Sequence, residues 1–133
     1  MTKARSQVSV FAIALFGLAA CQVKPAGQAM SGADARAAFA GNTLHGTSVD
    51  GDFVIYVEPL GDTVHGMLWG GRHDVGTSTV SAGGNFCITW HQTFDGKTRC
   101  YTVRRSAAGL DLLNAEGIVF ATVKTSTGNS DGL

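Results

Sequence analysis

The chain has 133 residues, 44% apolar and 15% charged, with 18 glycines and only 2 prolines. That length suits one domain, and the apolar fraction is too high for a disordered or collagen-like chain, although glycine stands at about twice its usual ~7%. Ten basic and ten acidic side chains cancel, so no basic field exists to draw nucleic acid, and no nucleic-acid partner is expected.

Residues 1–20 read as an export signal. Lys3 and Arg5 precede an apolar run from Val8 to Leu18 of about 11 residues, well short of the ~20 that span a bilayer. The run closes on Leu18-Ala19-Ala20-Cys21, which resembles the lipobox of bacterial lipoproteins: an aliphatic residue, two small ones, then the cysteine that becomes residue one. The resemblance implies a thioether-linked diacylglycerol on Cys21 and a further acyl chain, such as palmitate, on its amine. At roughly 0.8 kcal/mol per buried methylene, two or three chains anchor a protein with no membrane-spanning helix. Gln22 follows the cysteine in place of the aspartate associated with inner-membrane retention, which by the same resemblance favours the outer membrane, facing the periplasm. The alternative is an ordinary secretory signal with a cysteine at the cleavage point.

Loss of Lys3 and Arg5 leaves eight basic side chains against ten acidic ones in a mature chain of 113 residues. Cys87 and Cys100 are then its unmodified thiols, and in an oxidising compartment two such cysteines pair. Metal binding is the competing reading, with His91, four residues beyond Cys87, as the one obvious third ligand.

Residues 21–30 mix Pro, Gly, Gln and Ala without periodicity and read as a lipidated, flexible tether. In 31–41, Ser31 with Asp34 suits a capping box, Ala35, Ala38 and Phe39 form an apolar stripe, and Gly41 suits a C-cap, so a short helix is expected over about 32–40. From Asn42 the pattern changes to period two. Strands are predicted at 42–48, 52–58, 62–69, 73–81, 84–91, 98–105, 109–115 and 117–124, separated by Asp50-Gly51, Gly61-Asp62, Gly70-Gly71, Gly83-Gly84, Asp95-Gly96, Gly109 and Glu116-Gly117. This spacing leaves no room for crossover helices. The fold class is therefore mainly β: an antiparallel meander of about eight strands over 42–125, closed or nearly closed into a barrel, with a two-sheet sandwich as runner-up. Residues 126–133 read as a flexible tail.

With Cys87 opposite Cys100, Phe86 meets Tyr101, Thr89 meets Thr98 and Trp90 meets Lys97 around a four-residue turn at 92–95. Phe86, Ile88, Trp90, Tyr101 and Val103 then share a core face, and Cys87, Thr89, His91, Cys100, Thr102 and Arg104 share the outer one. Arg99 comes to the core side near the hairpin tip, where it must reach water or a carboxylate.

Catalytic signatures such as GxSxG, HExxH and phosphate or dinucleotide loops are missing from the sequence. His45, His65, His73 and His91 fall on separate predicted strands. His65 and His73, beside Asp74, could begin a metal site if they faced one another, and His45, Ser48 and Asp50 form a triad only on paper. No catalytic residue, metal or cofactor is expected. The aromatic set Phe53, Tyr56, Trp69, Phe86, Trp90, Tyr101 and Phe120 either fills the barrel or lines a ligand cup, for which Trp69, Trp90 and Arg99 are the candidate lining.

Gly32-Ala33, Arg36-Ala37-Ala38-Phe39, Gly41-Asn42-Thr43, Gly46, Cys87-Ile88-Thr89-Trp90 and Arg99-Cys100-Tyr101 give the stretch 31–123 a resemblance to small exported alphaproteobacterial domains of unknown function. That resemblance implies a helix before a β-rich domain and a paired Cys87 and Cys100, and it carries no catalytic residues. Gly70-Gly71-Arg72-His73 departs from the shorter turn it implies. The architecture is also similar to periplasmic inhibitor lipoproteins of lysozymes and metalloproteases, without their cysteine placement. The function expected is a non-enzymatic, membrane-anchored, periplasm-facing lipoprotein whose barrel is a binding or envelope-interaction module, with membrane lipid as partner through Cys21 and an envelope protein or a hydrolase as the candidate protein partner. The alternative is an inhibitor of a hydrolase acting through a loop at 91–97 or 69–74.

Overall fold

A computed structural model describes residues 28–60 and 62–133. The export signal expected at 1–20, the lipidation expected at Cys21 and the expected tether up to residue 27 fall outside the described residues. A helix, α1 (Gly32–Phe39), precedes eight strands: β1 (Asn42–Ser48), β2 (Gly51–Val57), β3 (Thr63–Leu68), β4 (Arg72–Val80), β5 (Asn85–Trp90), β6 (Arg99–Ser106), β7 (Gly109–Leu113) and β8 (Val119–Thr127). Each pairs antiparallel with the next, and β8 returns to β1 from Asn42↔Thr127 to Ser48↔Ala121, so the sheet closes into a barrel in chain order. Closure removes every free sheet edge.

Alternation decides what fills it. Leu44 of β1, Phe53, Ile55 and Val57 of β2, Val64 and Leu68 of β3, and Phe86, Ile88 and Trp90 of β5 point inward and are buried. An eight-stranded barrel is only just wide enough for its own side chains, so large rings need small neighbours. Gly46 stands directly opposite Phe53, and a Cβ on it would fall within that ring. A Cβ on Gly66 would come 2.6 Å from the Trp90 ring. Tyr56, grouped by sequence with the interior aromatics, points outward between Ile55 and Val57 and stacks on His65. The strict period of the strand puts it there.

The two ends of the barrel differ. The β2–β3, β4–β5 and β6–β7 connections lie at one end with α1; the other four connections lie at the opposite end. An eight-residue helix is marginal alone, and α1 persists through its cap and its packing. The Asp34 amide donates to Ser31 Oγ at 3.1 Å. Ala35 and Phe39 are buried, and the Phe39 ring lies 4.6 Å from that of Phe86 inside the barrel. Gly32 touches the β4–β5 turn at Ser81 and Gly41 meets Pro59 of the β2–β3 loop. The helix thus lies across this end as a plug. The described chain also enters here: the Met30 amide donates to the Val103 carbonyl at 2.8 Å, and Ala29 bridges to Arg104. β8 runs on to Thr127, and beyond it Thr43 Oγ1 donates to the Gly128 carbonyl while His45 Nε2 lies 2.7 Å from Asp131.

Candidate functional site

The disulfide joins Cys87 and Cys100, which are direct partners across β5 and β6 with Cα atoms 4.0 Å apart. Phe86↔Tyr101 and Ile88↔Arg99 flank it, so the inward and outward faces fall as alternation requires. The Thr89 and Thr98 hydroxyls are 2.6 Å apart. The expected Trp90–Lys97 pair does not form. The ladder stops at Ile88↔Arg99 and the chain turns through Thr93–Gly96 instead.

Asp74 is the reason. Its carboxylate accepts from the amides of Val75 (2.8 Å), Gln92 (3.1 Å) and Thr93 (2.8 Å) and from the Thr93 hydroxyl (2.7 Å). Burial alone would raise its pKa; the Thr93 hydroxyl and the three amides outweigh that and lower it to about 2. Buried Asp74 and Thr93 thereby tie the β5–β6 loop to the start of β4. Beyond the tie, Phe94 and Asp95 both take left-handed backbone with φ 56°, a conformation that costs non-glycine residues roughly 1–2 kcal/mol each.

That loop swings Phe94 over the open end of the barrel. Trp69, in the turn Trp69–Gly71, sits at its centre: the rings of Phe53, Phe94 and Phe120 meet the indole edge-on, with centroids 6.0, 5.8 and 6.3 Å away. The indole N–H is shared between Ser48 Oγ (3.0 Å) and the Gly51 carbonyl (3.1 Å). Phe120 reaches the group because the β7–β8 register shifts between Leu112 and Leu113, leaving Phe120 as the extra residue of β8, and it stacks on Tyr101 at 5.0 Å. Burial pushes the Tyr101 phenol up, against a smaller opposing effect of the Arg99 charge. Arg99 reaches water, and its guanidinium covers the Phe94 ring at 4.4 Å.

Trp69 and Trp90 therefore do meet at one place, with Arg99 on its rim. The space left among their neighbours is about 20 Å³, room for about one water. This end is an aromatic lid, with its rim widened by exposed Val49 (94%), Ile118 (61%) and Val119 (40%). An open groove of about 490 Å³ runs beside α1, between Arg36, Pro59, Leu60 and Val80, and gathers no comparable aromatic cluster.

The other candidate constellations separate. His65 faces Val75 and bonds to Glu58 at 2.8 Å, while His73 faces Met67. Among the described residues no group of His, Cys, Asp and Glu side chains is placed to hold a metal ion. His45 turns to Asp131, and Ser48 is occupied by the Gly51 carbonyl, the Asp50 amide and Trp69. Asp111 is likewise structural: burial opposes its ionisation, but Thr122, at 2.9 Å, and Arg104, at 3.2 Å, hold its pKa below the usual range. Phe94, Ser48 and the Asp74 clamp went unsingled in the sequence as parts of this end. Phe94 lies in what reads as a turn, and the partners of Asp74 lie 18 and 19 residues away. Comparison of the chain with protein families, with curated proteins and with solved structures gave no match.

Proposed function

We propose that this chain is a bacterial lipoprotein, acylated at Cys21, held on the outer membrane and facing the periplasm, whose barrel is a non-enzymatic module that binds an envelope protein through its aromatic end. One observation carries the reading: the described chain enters beside the plug, while Trp69, Phe94 and Phe120 gather with exposed Val49 and Ile118 at the opposite end. A tether at the plug leaves the aromatic end pointing away from the anchor. Aromatic residues and arginine beside them are the residue types that dominate protein–protein contacts, and a filled interior argues for a surface rather than a cup.

Two measurements test it. Cys21→Ser should abolish incorporation of labelled fatty acid and release the protein from the membrane fraction; lipid entering that variant would remove the anchor. A photo-crosslinking residue at Ile118 or Lys97 should give a discrete adduct in intact cells and one at Asp62 should not. Equal yields at both ends would sink the choice of face.

A second reading, inhibition of a hydrolase, is favoured by the β5–β6 loop. Asp74 and the disulfide hold it in one conformation before any partner arrives, which lowers the ordering cost of binding. A crosslink from Lys97 to a lysozyme or protease would select it.

A further inference from the structure

The aromatic end carries charge as well as apolar surface, and the two signs are separated. Around the barrel its four connections follow as β1–β2, β3–β4, β5–β6 and β7–β8, so the last neighbours the first. The adjoining β7–β8 and β1–β2 segments hold Glu116, Asp50 and Asp52 and no base. The adjoining β3–β4 and β5–β6 segments hold Arg72, Lys97 and Arg99 against one exposed acid, Asp95. All seven side chains are exposed, and none is in an ion pair among the described residues. Trp69 and Phe94 of the basic half meet Phe120 of β8, beside the acidic half, so the aromatic group bridges the two.

We propose that this end is a self-association face, on which a second copy of the chain sits end to end about a two-fold axis lying in the face, along the line between the acidic and basic halves. The proposal rests on the reading that the aromatic end is the binding face, and names its occupant. Rotation about that axis lays each acidic half on the partner copy's basic half. The β1–β2 turn with Asp50 and Asp52 comes opposite Arg72 of the other copy, and Glu116 comes opposite Lys97 and Arg99. The contact is made twice by symmetry, as in any two-fold interface, and the aromatic centres pack on one another. Complementary charge of this kind selects a partner and orients it. A partner of one uniform charge would be repelled by one half of the face.

A barrel end is small beside the ~800 Å² per partner of a standard stable interface, so pairing is expected at about micromolar or weaker in solution. Confinement on a membrane raises the effective concentration. The chain entries lie at the outer ends of the pair. Seven residues from Cys21 to Gln28 reach at most ~24 Å when extended, which lets both copies be anchored in one membrane while the pair lies along it.

Sedimentation of the full-length chain in a mild detergent tests this. The wild type should show concentration-dependent pairing that weakens as salt rises from about 0.05 to about 0.5 M. Arg72→Glu with Lys97→Glu leaves Arg99 as the one base among these seven side chains and makes the face predominantly acidic, and Asp50→Lys with Glu116→Lys leaves only Asp52 and Asp95 as acids and makes it predominantly basic. Each double variant alone should pair at least about tenfold more weakly, and an equimolar mixture should recover the wild-type affinity, because opposite faces then meet. Recovery in the mixture cannot come from misfolded variants. A wild type that stays monomeric, or a dimer that neither variant weakens, or variants whose mixture does not recover, would overturn self-pairing. If self-pairing fails while the crosslinker at Ile118 captures a different protein, the occupant is wrong and the aromatic end stands as the binding face. If that crosslinker captures nothing either, both readings fall.

Discussion

The two ends of this barrel solve the same problem in opposite ways. At the plug end, α1 closes the opening with Ala35 and Phe39, which are buried against Phe86 in ordinary core packing. At the aromatic end no helix is available, and loops must close the opening themselves. They do so with Trp69, Phe94 and Phe120, each placed by a different device: the Ser48 and Gly51 acceptors for Trp69, the Asp74 clamp for the Phe94 loop, and a backbone register shift for Phe120. The plug is held by apolar burial, and exposed Leu60 stands apart from it beside the groove along α1. A lid held by hydrogen bonds at its rim leaves Trp69, Phe94 and Phe120 only partly buried.

Substitutions at the two ends should therefore differ in kind. The largest loss of stability is expected at the plug, where Phe39→Ala should cost about 3–5 kcal/mol and lower the melting temperature by well over ten degrees while leaving crosslinking at Ile118 unchanged in whatever protein remains folded. A loss below about 1 kcal/mol would mean that the helix does not close the barrel. Next comes the staple near the aromatic end. Cys87→Ser with Cys100→Ser opens a loop of about 14 residues and should cost about 3 kcal/mol by chain entropy, and the non-reduced folded wild type should show no maleimide-reactive thiol at either position.

The clamp adds a pH dependence. The Asp74 pKa is about 2 in the folded chain, below the ~3.9 of an unfolded aspartate. Its contribution is present above about pH 4 and is lost as pH falls towards 2, a change of roughly 2 kcal/mol. Asp74→Asn should remove much of that acid sensitivity when urea midpoints are compared at pH 7 and pH 3, and should raise amide exchange at Gln92 and Thr93. Unchanged exchange there would show that the loop is held by something else. Ser48→Ala, which takes one acceptor from the Trp69 indole, should cost about 1 kcal/mol and shift the tryptophan emission. The smallest effect on folding is expected at Val49→Ser, within about 0.5 kcal/mol, because its side chain is 94% exposed; its effect should be on pairing.

Much of the fold was legible from local pattern. Period two marked the strands, glycines, most of them beside an acidic residue or a second glycine, marked the turns, and Ser31, Asp34 and Gly41 bracketed α1 because caps and tight turns depend on residues three or four apart. The Cys87–Cys100 pair was legible for the same reason: both cysteines lie on one hairpin, and hairpin register follows from alternation. The site was legible only in part. Trp69 and Trp90 could be suspected of sharing a place, but Phe94 reads as part of a turn and Tyr56 as one more interior aromatic.

What the sequence determined by itself is the near-neighbour order of the molecule: strand, turn, cap, hairpin partner and which face of each strand is apolar. These follow from chain stereochemistry and burial over a few residues. Tertiary structure alone decided how the ends are closed. Asp74 becomes a clamp only when β4 lies beside the loop carrying Gln92 and Thr93, Gly46 becomes necessary only when Phe53 lies across it, and Phe120 turns inward only when β8 carries one residue more than β7. Each depends on residues distant in the chain meeting at a separation set by the barrel's closure, and no local periodicity encodes that meeting.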